Sequence, residues 1–154
     1  MSESRLPREL VLDTSVVVKF YLPEDLREEA LALLSTVERG EIKLLAPSTV
    51  QPELFNALWQ QHRRGELSRA EVGEHWNDFS VTSVDLYAPE DLMPRAAEIA
   101  LETEVIVYDA LFLALAEDAD TIVVTADDKL LKTIDGTPYA RLASHLGRAG
   151  NLLL

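Results

Sequence analysis

The 154-residue chain reads as an α/β protein built around a parallel sheet of four to five strands. Three observations predict this. Short apolar runs at Leu10–Leu12, Lys43–Ala46 and Thr121–Thr125 lack the alternation of half-exposed strands, as expected where both faces of a sheet are covered. Amphipathic stretches of crossover length separate them, and hairpin signals are scarce. The chain is 47% hydrophobic and 27% charged, enough apolar material for one domain spanning residues 1–154.

Taken in order, Leu10–Leu12 is a buried strand ended by Asp13, and Ser15 is placed to cap a short helix through Tyr21. Pro23–Gly40 carries acids at its start and a glycine at its end, with Leu26, Ala30, Leu33, Leu34 and Val37 at helical spacing. After the strand Lys43–Ala46, Ser48 with Gln51 matches a capping box for a helix reaching Gly65. Ser68 with Glu71 repeats that box, and Val72, Trp76 and Phe79 mark the inner face that follows. Val81–Leu86 fits a strand or an extended loop, and Asp91 fits the cap of a helix to Glu102. Val105–Tyr108 has strand propensity but is too short to decide. Asp109 opens a nearly all-apolar, hence buried, helix. Thr121–Thr125 is a strand, Lys129–Thr133 a short helix and Ala140–Leu146 a last strand.

The net charge is −13, and cysteine is absent. That excludes a disulfide framework, thiolate metal sites and cysteine nucleophiles, and it fits a reducing cytoplasm. The N-terminus MSESRLPREL lacks a signal-peptide core, and no stretch approaches the ~20 apolar residues that span a bilayer. A cytoplasmic protein is expected. The acidity counts against nucleic acid, whose binders carry clustered bases. Between Arg95 and Lys129 there is no base, yet nine acids fall there, which suits either a solvated face or a cation site.

In a parallel sheet, ligands bind beyond the carboxyl ends of the strands. Asp13 follows the first strand, Glu53 lies one turn into the helix after the second, Asp109 begins the buried helix, and Asp127 and Asp128 follow the strand TIVVT. Each acid alone suits a helix cap or a first-turn position. Four segments delivering carboxylates to one edge is different, because close carboxylates repel by ~1 kcal/mol or more per pair unless a cation intervenes. Oxygen-only donors select a hard divalent ion, Mg2+ or Mn2+. Such an ion polarises phosphate and activates water, so metal-assisted phosphodiester hydrolysis is the expected chemistry. His62, His75 and His145 lack zinc spacing and read as surface or helix-end residues, and no G-x-S-x-G elbow occurs.

The phrases LVLDTSVVVKF (10–20), APSTVQPELFNAL (46–58), YDALFLALAED (108–118) and TIVVTADDKLL (121–131) carry a resemblance. In that order and spacing the chain resembles the PIN-domain ribonucleases, in particular the VapC-type toxins of toxin-antitoxin modules, from about Leu10 to Leu146. The resemblance implies a PIN-like α/β/α sandwich, Mg2+ or Mn2+ at the acidic cluster, and endonucleolytic cleavage of RNA. It makes Asp13, Glu53, Asp109 and Asp127 the catalytic acids. Asp13 and Asp109 would be metal ligands, Glu53 and Asp127 would act directly or through water, and Thr14, Ser15 and Thr125 would orient them. Asp128 falls at a variable position and is expected in solvent. The resemblance also implies a cognate antitoxin and a homodimer, for whose contacts Phe20, Tyr21, Leu22, Phe55 and Trp59 are candidates, although at least half of these suit the core. The leucines after Gly150, in the tail Asn151–Leu154, would serve edge packing or a dimer contact.

With so acidic a body, RNA affinity must come locally, from the metal and from Lys19, Arg63, Arg64, Arg69, Lys129 and Lys132. Arg63 and Arg64 equally suit the C-terminal dipole of their own helix. Alternatives are a PIN nuclease of RNA maturation that has no antitoxin, or a catalytically silent PIN-like binding module. A haloacid-dehalogenase-like phosphatase needs a second Asp where Ser15 stands.

Overall fold

Residues 7–151 are described by the computed structural model, with side chains through Ala149. In chain order the elements are β1 (Glu9–Leu12), α1 (Thr14–Val17) running into a 3-10 turn (Val18–Phe20), α2 (Arg27–Glu38), β2 (Lys43–Pro47), α3 (Val50–Arg63), α4 (Arg69–Val81) and β3 (Val84–Tyr87). There follow α5 (Pro89–Thr103), α6 (Val107–Asp118), β4 (Val123–Thr125), α7 (Asp128–Ile134), a 3-10 turn (Ala140–Leu142), β5 (Ala143–His145) and α8 (Leu146–Asn151).

The five strands form one sheet in the order β3-β2-β1-β4-β5, with every pair parallel. Residues such as Leu10, Val11, Leu44, Val123 and Val124 are buried because helices cover both faces. Right-handed crossovers place the helices between β1 and β3 on one face and those between β3 and β5 on the other. On the second face α6 packs on β1, β2 and β4, with α5 behind it. That position explains why all seven residues from Ala110 to Ala116 are buried. On the other face, α8 packs against α2 and β4. The α/β architecture and the strand number are as expected.

Several boundaries differ from the sequence reading, each for a local reason. The helix expected over Pro23–Gly40 begins only at Arg27, because Leu26 adopts a left-handed conformation (φ 65°) that cannot be helical. Ser48 does not close a capping box. Its N–H donates to the Tyr87 carbonyl (2.8 Å) beside β3, and α3 starts at Val50 without a side-chain cap. Ala88, not Asp91, precedes α5, with Pro89 supplying the pre-set first turn. The expected last strand is divided among a 3-10 turn, β5 and the start of α8. Val105–Tyr108 is not a strand: Val107 already begins α6. By contrast, Ser68 and Glu71 form the full capping box, with bonds of 3.1 and 2.9 Å.

Phe20, Tyr21 and Leu22 belong to the core rather than to an exposed contact surface, since α2 and the helices around it enclose them. Phe55 and Trp59 are exposed. No helix among the described residues is long and apolar enough to cross a membrane. The tail contact expected for residues 151–154 lies outside the described side chains.

Leu113 is fully buried in α6, so Leu113→Ala should cost about 2–5 kcal/mol. Leu101, on the outer face of α5, should change stability by less than about 0.5 kcal/mol when truncated. Urea unfolding checks both; equal midpoints for the two variants would contradict the packing of α6.

Candidate active site

Adjacent strands β1 and β4 send the chain toward opposite faces, which opens a crevice beyond their carboxyl ends. Asp13 stands at that point. Its N–H donates to the Val124 carbonyl (3.0 Å), continuing the ladder between the two strands, and the residue is only 6% exposed. Two hydroxyls hold one oxygen: Ser15 Oγ and Thr125 Oγ1 donate to Asp13 Oδ2 at 2.7 and 2.8 Å. Each hydroxyl also accepts a backbone N–H, from Ala126 to Ser15 (3.0 Å) and from Asp127 to Thr125 (3.0 Å). Both hydroxyl protons are thereby committed to Asp13, so the 3.3 Å approach between Ser15 and Thr125 is a contact rather than a further bond. Ser15 therefore braces Asp13 instead of capping α1, whose N-cap position is Asp13 itself.

The other acids arrive from three helix starts. Glu53, in the first turn of α3, accepts a hydrogen bond from Thr14 Oγ1 (3.0 Å). Asp109 lies in the first turn of α6, two residues inside its start rather than at it. Asp127 caps α7, its Oδ1 accepting from the N–H groups of Lys129 (2.9 Å) and Leu130 (3.2 Å). The ordinary capping role thus holds for Asp127 alongside its place beside Asp13. Asp128 points into solvent, 3.6 Å from His145 Nε2.

Asp109, Asp127 and Lys129 line a cleft of about 210 Å³ together with Glu104, Val105 and Ile106. Glu104 went unnoticed in the sequence. It ends α5 in the left-handed conformation (φ 67°), a backbone state that only the folded chain reveals. Among the described residues no three acidic or histidine side chains converge closely enough to chelate an ion as they stand. The acids nevertheless act on one another. Burial pushes the Asp109 carboxyl up to about 7, helped by the charges of Asp13, Asp127 and Glu53 and opposed by Lys129. Burial also raises Asp13, against the Ser15 and Thr125 bonds, with the Asp127 charge adding to the rise. Glu53 is raised by burial, with the Thr14 bond opposing and the Asp13 charge adding.

The expected basic contacts divide. Lys19 is buried and paired with Glu24 (3.3 Å), so it does not offer its charge to a ligand in the way the sequence suggested. Arg63, Arg64, Arg69, Lys129 and Lys132 keep some or most of their surface in solvent. His62 is exposed near the end of α3, whereas His75 packs beside the Tyr21 ring and His145 ends β5.

In cation-free protein, native Asp109 keeps a proton that the unfolded chain loses near the ordinary carboxylate pKa. Its contribution to stability is therefore complete below that value and is lost as pH rises through about 7. The Tm in chelator should fall between about pH 5 and pH 8, and Asp109→Asn should flatten that fall. An identical pH slope in both proteins would contradict the account.

Known proteins share this fold. Residues 10–136 match the PIN-domain family. Ribonuclease VapC3 of Pyrobaculum aerophilum is 34% identical over 125 residues, covering 79% of this chain and 91% of that protein. Among solved structures, PAE2754 from Pyrobaculum aerophilum superposes with a TM-score of 0.66 at 22% identity, covering 94% of this chain and 88% of that one. A toxin-antitoxin complex from Klebsiella pneumoniae gives 0.59 at 14% identity, with 89% and 97% covered. VapBC2 from Rickettsia felis, bound to a promoter DNA fragment, gives 0.58 at 13% identity, with 89% and 98% covered. These three solved structures, at 13% to 22% identity, share the fold, and the family match together with the VapC3 relative establishes the kinship: this chain belongs to the PIN-domain family.

Proposed function

We propose that the chain is a Mg2+- or Mn2+-dependent endoribonuclease, folded as a single PIN domain, that acts as the toxin of a toxin-antitoxin pair. The observation carrying this reading is that Asp13, Glu53, Asp109 and Asp127 flank the β1/β4 crevice within electrostatic reach of one another, so that burial and mutual repulsion raise Asp13, Glu53 and Asp109. Kinship with a protein named as a ribonuclease supports the substrate class.

The donor chemistry fits a hard cation. All the groups are oxygens, and a cation brought to them would offset the burial and repulsion that together hold a proton on Asp109. Asp13 and Asp109 would be its ligands, with Glu53 and Asp127 joining directly or through water. When bound, such an ion neutralises phosphate charge and makes water acidic enough to attack at neutral pH. The chain does the positioning. Ser15 and Thr125 fix the rotamer of Asp13, and Thr14 aims Glu53, whose raised pKa suits it to accept the proton of the attacking water. Lys129, on the cleft wall, and Lys132, one turn further along α7, supply charge for the scissile phosphate.

A toxin role needs a partner to silence it. One protein sharing the fold is described as a toxin-antitoxin complex, and an acidic body of −13 suits a basic antitoxin segment. A homodimer is part of the same proposal.

Calorimetric titration with Mn2+ tests the site. Wild type should bind and the Asp13→Asn, Asp109→Asn double variant should not; equal binding would sink the assignment. Thr125→Val removes one of the two braces while keeping the shape, and should lower cleavage about ten- to a hundredfold. Expression without the antitoxin should arrest growth, and Asp109→Ala should relieve the arrest. Full arrest by that variant would end the toxin mechanism.

A further inference from the structure

Strand β5 ends at the same carboxyl edge as the acids, on a histidine. His145 pairs in register with Thr125 of β4, so it stands one strand beyond the hydroxyl that braces Asp13. Asp127 and Lys129 line the cleft, and Asp128 between them brings its Oδ1 to 3.6 Å from His145 Nε2. His145 therefore flanks the crevice from the β5 side, whereas Glu53 reaches it from the β2 side.

The ring is held in one state. The Gly147 N–H donates to Nδ1 (3.0 Å), and a nitrogen that accepts there carries no proton, so the neutral ring keeps its single proton on Nε2. Gly147 leaves room for this bond, since a Cβ at that position would lie 3.2 Å from Nδ1 and push on the ring. On its other side the ring is unused. At 3.6 Å the Asp128 oxygen is too far to accept a hydrogen bond, and Asp128, 79% exposed, is hydrated. Among the described residues the Nε2–H thus has no acceptor, although the His145 side chain is 35% exposed at the rim of the acidic site. The charge nearby suits an anion: α7, which packs on β5, carries Lys129 and Lys132, both exposed and outside any ion pair among the described residues.

We propose that His145 binds a substrate phosphate next to the scissile one, its Nε2–H donating to a non-bridging oxygen while Lys132 adds charge. This rests on the nuclease reading above and deepens it. With one phosphate at the cleft and its neighbour at His145, the strand is held at two points, and such contacts fix register and orientation rather than base sequence. His145 is a binding residue that touches no reacting atom. Asp128 limits its grip, because that carboxylate repels the phosphate approaching the same N–H.

The test uses the full chain with Asp109→Asn, which binds without cutting, and a short RNA oligonucleotide. Asparagine sets its amide oxygen where Nδ1 stands, and glutamine sets an amide N–H near the place of Nε2–H, so the two variants separate the two ring atoms. His145→Asn should weaken RNA binding about tenfold at an unchanged Tm, and His145→Gln should restore most of the loss. Asp128→Asn should tighten binding about threefold. By nitrogen-detected NMR the free protein should carry its ring proton on Nε2, and added RNA should move the Nε2 signal while leaving Nδ1 in place. In the active chain His145→Asn should raise KM more than it lowers kcat. The opposite order, with His145→Asn as good as wild type and His145→Gln impaired, would make the ring a lock on the start of α8 and overturn the proposal. So would unchanged affinity in both variants. If the wild type binds RNA through His145 but never cleaves it, the contact stands and the nuclease reading falls. If it cleaves with a KM indifferent to His145→Asn, the reading stands and the contact falls.

Discussion

The site depends on a buried carboxylate held by two hydroxyls. A buried Asp13 without donors would cost several kcal/mol or stay protonated, and each charge-assisted bond returns about 1.5–3 kcal/mol. Ser15 and Thr125 supply those bonds from opposite sides of the crevice, and each is anchored by an N–H from the turn after β4. The arrangement therefore links β1 to β4 more tightly than their short ladder alone. It also fixes Asp127, whose N–H bonds Thr125 while its carboxylate caps α7.

Around this clamp the remaining acids are placed at a cost. Asp109 and Glu53 sit at helix starts, where the dipole favours negative charge, yet burial and the neighbouring carboxylates outweigh that benefit and raise both. The same local view applies to the proposed RNA substrate. Global charge averages over the whole surface, whereas Lys129 sets the field at the cleft itself.

What could be read in the sequence follows from how local each feature is. The strands were legible because residues such as Leu10–Leu12 and Val123–Val124 are apolar on both faces, and the acids were legible because Asp13 and Asp127 directly follow such runs. The Ser68–Glu71 box was legible because all its atoms lie within one turn. Features fixed by tertiary packing were not. Leu26 and Glu104 take positive φ only because the surrounding chain demands it, and the enclosure of Phe20, Tyr21 and Lys19 depends on how α2 and α3 pack around their turn. That is why α2 seemed longer than it is, why Glu104 was missed at the cleft, and why Lys19 was counted among the exposed bases.

The clamp on Asp13 also has a consequence in time. Its two halves come from residues 13–15 and 125–127, separated by more than a hundred positions. On the ribosome, where chains grow at roughly 5–20 residues per second, Asp13 emerges early and waits seconds for Thr125. Until β4 is made and paired with β1, the chain lacks both the brace on Asp13 and the Asp127 carboxylate. On the toxin reading proposed above, the chain would be synthesised inert until β4 is in place.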